Sequence, residues 1–153
     1  MKKITPFLWF DTQAEEAMNF YVSIFKNSKV GSIQRAGSDG PVMSVTFQLE
    51  GQEFMALNAG PQFKFNEAIS FFVDCKTQEE VDELWAKLTA DGGEESMCGW
   101  LRDKYGLSWQ IIPTALGELM GDPDLEKAGR VVQAMLNMKK IDIQGLRQAY
   151  EQG

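Results

Sequence analysis

The stretch ITPFLWFDTQAEEAMNFY, from Ile4 to Tyr21, is written again as AISFFVDCKTQEEVDELW, from Ala68 to Trp85. Each copy opens on an apolar run of strand character, meets a Thr-x-x-Glu, and continues with helical spacing. Sliding the chain by 64 positions lays Ala17 on Val81, Phe20 on Leu84, Tyr21 on Trp85 and Ile24 on Leu88. These positions keep the i, i+3, i+4, i+7 interval that places them on one helical face. Thr12 with Glu15, and Thr77 with Glu80, fit the capping box, in which hydroxyl and carboxylate satisfy the orphan amides of a helix start.

The second half of each copy also repeats, at an offset of 55: EGQEFMALN (Glu50 to Asn58) falls on YGLSWQIIP (Tyr105 to Pro113). Gly51 and Gly106 then sit between strand-like runs, as hairpin turns do. The incoming strands are VMSVTFQL and CGWLRD, and SIQRAGSDGP in the first copy reads as a Gly- and Ser-rich loop that the second lacks. Each copy therefore reads β-α-β-β-β, over residues 4–58 and 68–113, joined by AGPQFKFNE. Repetition of a whole unit constrains the fold more than any single propensity. Residues 114–153 are helical throughout: Asp122 is placed to cap, Pro123 to take the first helical position, Leu125, Ala128, Val132 and Met135 to form a stripe, and Leu146 and Tyr150 to lie on a short last helix. These helices need a surface to cover, their own sheet or a partner subunit. The fold class is α+β.

Composition narrows the chemistry. The 153 residues contain no histidine, which removes a Ser-His-Asp triad, a His general base and any His-ligated zinc or iron. Fifteen basic and 22 acidic side chains give a net charge of -7, and the basic ones are scattered, which argues against nucleic acid. No apolar run approaches the ~18 residues that span a bilayer, and no secretory signal opens the chain. Cys75 and Cys98 lack metal-site spacing and point to a reducing, cytoplasmic setting.

ITPFLWFDTQAEEAMNFYVSIF, FMALNAGPQFKFNEAISFFVDC and CGWLRDKYGLSWQIIPT together resemble the PhnB-like branch of the vicinal oxygen chelate superfamily, which includes glyoxalase I and the bleomycin-resistance proteins. That branch often carries the label 3-demethylubiquinone-9 3-methyltransferase. The resemblance covers roughly residues 4–139. It implies two paired modules curled around a cup, helices outside, and a homodimer. It also implies where a divalent metal would sit: the first ligand position falls at Pro6, the second at Ala68 or Ser70, the third at Gln110. None of these is a good ligand, so no metal and no other cofactor is expected.

Strand alternation sorts the faces. With Gln110 pointing into the cup, Ser108 and Ile112 follow, and the repeat adds Glu53, Met55 and Leu57. On the first strands, Pro6, Leu8 and Phe10 point in, as do Ser70 and Phe72, while Phe7, Trp9, Phe71 and Val73 pack under the helices. Trp100 caps the pocket mouth or joins a dimer core. Phe63 and Phe65 fold over an opening or a partner. The ligand-binding set is thus Leu8, Phe10, Met55, Leu57, Ser70, Phe72, Trp100, Ser108 and Gln110. Glu53 is the one candidate general base, against a plain reading as a solvated rim carboxylate.

A largely apolar cup with few polar points favours metal-independent binding of an apolar or aromatic small molecule. The alternatives are an enzyme of lyase, isomerase or dioxygenase type, the methyltransferase of the family label, and an assembly module whose cup is filled by side chains. S-adenosylmethionine enzymes commonly use a Gly-rich loop before a helix, and no such run is present: AGSDGP heads no helix.

Overall fold

A computed structural model of the protein describes residues 2–152 and divides into two units, one up to Lys64 and one from Phe65 onwards. The first contains β1 (Phe7–Phe10), α1 (Ala14–Ile24), β2 (Lys29–Arg35), β3 (Val42–Leu49) and β4 (Gln52–Asn58). The second repeats the series as β5 (Ser70–Cys75), α2 (Gln78–Thr89), β6 (Glu94–Glu95), β7 (Trp100–Arg102) and β8 (Ser108–Pro113), and adds α3 (Thr114–Met120), α4 (Leu125–Leu136) and α5 (Ile143–Glu151). The strand orders, β1-β4-β3-β2 and β5-β8-β7-β6, are the same arrangement twice. The expected β-α-β-β-β repeat is present in both units.

In each sheet the first strand runs parallel to the last, and the remaining pairs are antiparallel. Glu50 (φ 50°) and Gly51 (φ 81°) close the β3–β4 hairpin in two residues, with Leu49 opposite Gln52. Two consecutive positive φ angles are what a type I′ turn needs, and its twist matches that of the strands. The equivalent turn in the second unit is longer and is organised by Asp103. Its buried carboxylate accepts from the Tyr105 and Leu107 amides at 2.9 and 3.1 Å and from the Trp109 indole at 2.9 Å.

Each helix lies on one face of its own sheet. Ala17, Tyr21 and Ile24 of α1 are buried, with Tyr21 stacked 6.3 Å from Phe47. Val81, Leu84, Trp85 and Leu88 of α2 are buried, and Phe20, the counterpart of Leu84, is half-buried. The two helix starts differ. Thr77 accepts from the Glu80 amide at 3.1 Å, and the Glu80 carboxylate accepts from the Lys76 amide at 2.8 Å, close to the expected capping box. In α1 the box does not form. The cap position is Gln13, one residue beyond Thr12, and the Ala14 amide instead donates to the Asn58 side chain at 2.8 Å.

Three further expectations change. Ser32 to Arg35 of SIQRAGSDGP belong to strand β2, an exposed edge strand whose residues carry no burial alternation for a sequence pattern to show. Helix α4 is capped by Asp124, whose carboxylate accepts from the amides of Glu126 and Lys127, while Asp122 accepts the Tyr150 hydroxyl at 2.5 Å. This bond holds the Asp122 carboxyl below its usual range and pushes the Tyr150 phenol up. The buried stripe of α4 is Ala128 and Val131, and Leu125 stands 82% exposed in the first turn.

The last three helices cover their own sheet. Ile112 on β8 clusters with Leu116, Val131, Ile141 and Leu146, all buried. The segment before β7 is pinned to them, because the amides of Cys98 and Gly99 donate to the carbonyls of Met138 and Lys139 at 2.7 and 2.8 Å. Gly99 has φ +85°, and a Cβ there would come within 2.6 Å of Ile112 Cδ1 and 3.1 Å of Ile141 Cγ1. Both the left-handed backbone and the close packing demand glycine. Gly99→Ala should therefore lower the stability of the folded protein by ~2 kcal/mol or more in urea unfolding, whereas Gly129→Ala, with open space at its Cβ, should not destabilise it.

Candidate functional site

The helices occupy one face of each sheet and leave the other open, so the site question is which side chains each open face carries. Paired residues point to the same side, and alternate pairs to opposite sides. In the first unit Phe47 opposes Phe54, Val45 opposes Ala56, and Ala56 opposes Leu8. All five belong to the buried, helix-covered face. The open face follows from the other register: Thr46 opposes Met55, which opposes Phe7, and Ser44 opposes Leu57, which opposes Trp9.

This corrects the first strand. Leu8 (6% exposed) and Phe10 (4%) lie in the core under α1, and Phe7 (52%) and the half-buried Trp9 take the open face. The cause is a single residue. Leu8 pairs with Ala56 and Val73 with Ile111, so the strands correspond across 65 positions, while the helix faces correspond across 64. The joint between β1 and α1 is one residue longer than its counterpart, and a one-residue slip turns every strand side chain over.

In the second unit the expected faces hold. Ser70 opposes Ser108, Phe72 opposes Gln110, and Gln110 opposes Trp100. Phe71, Val73, Trp109 and Ile111 take the helix side, with Phe71 edge-on to Trp109 at 5.4 Å. The Gln110 amide donates to the Ser70 hydroxyl at 2.9 Å, a polar pair beside Phe72, which is 60% exposed. Ile112 shares this face, but the C-terminal helices bury it.

Each open face carries a hollow. In the first unit a hollow of about 290 Å³ is lined by Lys29, Thr46, Gln48, Glu53 and Met55, among others. Glu53 and Met55 therefore come together, and on the same face Trp9, opposite Leu57, is fixed by its indole bond to the Gly60 carbonyl at 2.9 Å and by Phe63, edge-on at 4.9 Å. Phe63 is still 64% exposed, whereas Phe65 is half-buried. In the second unit a hollow of about 220 Å³ is lined by Glu67, Glu94, Trp100, Arg102 and Ser108, among others. Arg102 forms ion pairs with Glu67 at 3.3 Å and with Glu94. Ser108 is wholly buried, and its hydroxyl has no hydrogen-bond partner. Arg102, Glu94 and Glu67 were not singled out by sequence reasoning, since isolated surface charges carry no pattern.

The positions that would hold a divalent metal do not fit one. Ala68 precedes β5 and has no donor, Pro6 offers a carbonyl already accepting from the Met55 amide, and Ser70 and Gln110 are neutral groups bonded to each other. Among the described residues no three Cys, Asp or Glu side chains gather as a metal site would require. Nor is a cysteine nucleophile in place at Cys75. Its thiol is buried and pushed up to about 12, first by burial and then by the carboxylates of Glu80 and Asp74. Among the described residues no helix is long and apolar enough to cross a membrane.

Two four-stranded mixed sheets of β-α-β-β-β order, each with a helix-covered and an open face, define the glyoxalase/bleomycin-resistance class of fold. The family model described as 3-demethylubiquinone-9 3-methyltransferase matches residues 2–112. A PhnB protein from Bacillus cereus is 42% identical, over 74% of this chain and 100% of its own, with a TM-score of 0.69. A protein from Pseudomonas aeruginosa (18% identity, 74% of this chain and 98% of its own, TM-score 0.61) and the fosfomycin resistance protein FosX from Listeria monocytogenes (18%, 76% and 94%, TM-score 0.55) share the fold. No curated protein matches the chain. The chain belongs to the PhnB-like family of the vicinal oxygen chelate superfamily. Helices α3 to α5 lie beyond the end of the family match.

The thiols offer a check on these surroundings. Native protein at pH 8 should consume one equivalent of a thiol reagent, at the half-buried Cys98, with Cys75 reacting only on unfolding. Because the folded Cys75 holds its proton to about 12 while an unfolded thiol releases it near ~8.5, the unfolded state binds fewer protons in between. Stability should fall as pH rises through that window, and Cys75→Ala should flatten the fall.

Proposed function

We propose that the chain binds an apolar or aromatic small molecule on the open faces of its sheets, without a metal ion, and works as a homodimer in the cytoplasm. The observation that carries this reading is the exposure of aromatic and apolar side chains on faces with few polar groups. In the first unit Phe7 stands 52% exposed, with Trp9, Met55 and Leu57 half-buried on the face that carries Glu53; in the second, Phe72 stands 60% exposed, with Trp100 half-buried on the face of the Gln110–Ser70 pair. Such a mixture is what small-molecule sites present, and apolar surface left open is costly unless something uses it. Ligand contacts then come from Phe7 and Trp9 in place of Leu8 and Phe10. The homodimer and the location rest on the family resemblance and on the two unpaired cysteines.

The family description favours one second reading, a methyltransferase. Its chemistry would need a binding element for S-adenosylmethionine. The loops that lead from β1 into α1 and from β5 into α2, Asp11-Thr12-Gln13 and Lys76-Thr77, contain no glycine. A lyase, isomerase or dioxygenase on this fold would rely on Glu53, the carboxylate in the first unit's hollow, as its base.

Thermal melts against a panel of aromatic compounds test the proposal. A ligand at ~100 times its Kd should raise Tm by several degrees, since it adds ~2.7 kcal/mol, and EDTA should leave the shift unchanged. No compound raising Tm, or a shift abolished by EDTA, would count against it. Calorimetric titration with S-adenosylmethionine should give no saturable heat. A micromolar binding isotherm would favour the methyltransferase instead.

A further inference from the structure

The two hollows lie at corresponding places in the repeat. Lys29, Gln48 and Glu53 form one cross-strand row in the first unit, and Glu94, Arg102 and Ser108 form the matching row in the second. Where the first row ends in a carboxylate, the second ends in a serine. The Ser108 hydroxyl is fully buried and unpartnered, in a structure where such groups normally find a partner. The hollow it lines, about 220 Å³, is several times the ~30 Å³ share of one water.

The charges around this hollow decide what suits it. Arg102 is its one cation, and its guanidinium nitrogens are already engaged by Glu67 and Glu94. The neighbouring Glu95 pairs with Leu101 and turns to the helix side, where its carboxylate accepts the Trp85 indole N–H at 2.7 Å, so two carboxylates and one guanidinium face the hollow. An anion would meet a net negative wall with its one counter-charge occupied. A neutral molecule could donate an O–H or N–H bond to a carboxylate but would lack the ion–ion attraction. A cation gains from the net negative charge and from the second oxygens of Glu67 and Glu94, since Arg102 engages only Glu67 Oε1 and Glu94 Oε2; from the indole of Trp100, whose π system attracts positive charge; and, if it carries N–H donors, from the Ser108 oxygen as acceptor.

We infer that the hollow of the second unit selects a small organic amine, held as its ammonium ion by Glu67, Glu94, Trp100 and Ser108. This deepens the small-molecule reading above and rests on it. The test is a titration of the full-length, ¹⁵N-labelled protein with benzylamine, benzyl alcohol and benzoate, which share a ring and differ in charge. Benzylamine should shift the Trp100 indole and Ser108 amide signals, saturating at a concentration at least about tenfold below benzyl alcohol. Benzoate should leave these signals in place. Ser108→Ala removes an unsatisfied buried group, so it should fold normally and bind benzylamine several-fold more weakly, and Glu94→Gln should do the same. Benzyl alcohol or benzoate acting on these signals as strongly as benzylamine would overturn the selectivity while leaving small-molecule binding in place. Unchanged benzylamine affinity in Ser108→Ala, or no response to benzylamine, would also overturn it. The thermal-shift panel decides the broader reading separately.

Discussion

In both units the first strand runs parallel to the last and is hydrogen-bonded to it, and this pairing determines what each sheet buries and what it leaves open. β1 lies on β4 with Leu8 against Ala56, and β5 lies on β8 with Val73 against Ile111. A parallel pair requires a crossover, and the helix between the strands supplies it. The same helix then shields one face. The other face is left to solvent or to a ligand, except where the C-terminal helices bury Ile112 in the second unit, and which side chains it carries follows from the register of one short strand.

The duplication set the frame, and the edges made the units different. The outer strand of the first sheet is seven residues long and fully exposed, while that of the second has two residues. At the other end of the second unit, three helices close over Ile112 and pin the Cys98–Gly99 turn against residues 138–139. The second unit's open face is thereby reduced to the part around Ser70, Phe72, Trp100, Ser108 and Gln110. Its hollow is bordered by charges that a single change of row, from Lys-Gln-Glu to Glu-Arg-Ser, inverted and rearranged.

The repeat, the helix faces and the hairpins were legible because each rests on a pattern of several residues. Tyr21 and Trp85, or Gly51 and Gly106, reinforce one another across the copies. The face of β1 was not read correctly, although its clue was present: the Thr-x-x-Glu motifs match at 65 positions and the helices at 64. That mismatch is the extra residue in the joint, and it exchanges Leu8 and Phe10 for Phe7 and Trp9. The edge strand β2 was hidden in a polar stretch because an exposed edge needs no apolar alternation. Asn58 as the acceptor of the first amide of α1 and Asp103 as the centre of the second turn depend on contacts between distant or buried groups that no local motif announces.

The assignment of faces is tested most directly by the four tryptophan indoles. With ¹⁵N-labelled protein and a soluble gadolinium chelate, the indole signals of Trp9 and Trp100, on the open faces, should broaden strongly. Those of Trp85 and Trp109, 4% and 3% exposed beneath the helices, should stay sharp. Broadening of Trp85 and Trp109 with Trp9 and Trp100 spared would mean that the sheets turn the opposite way, and the account would fall.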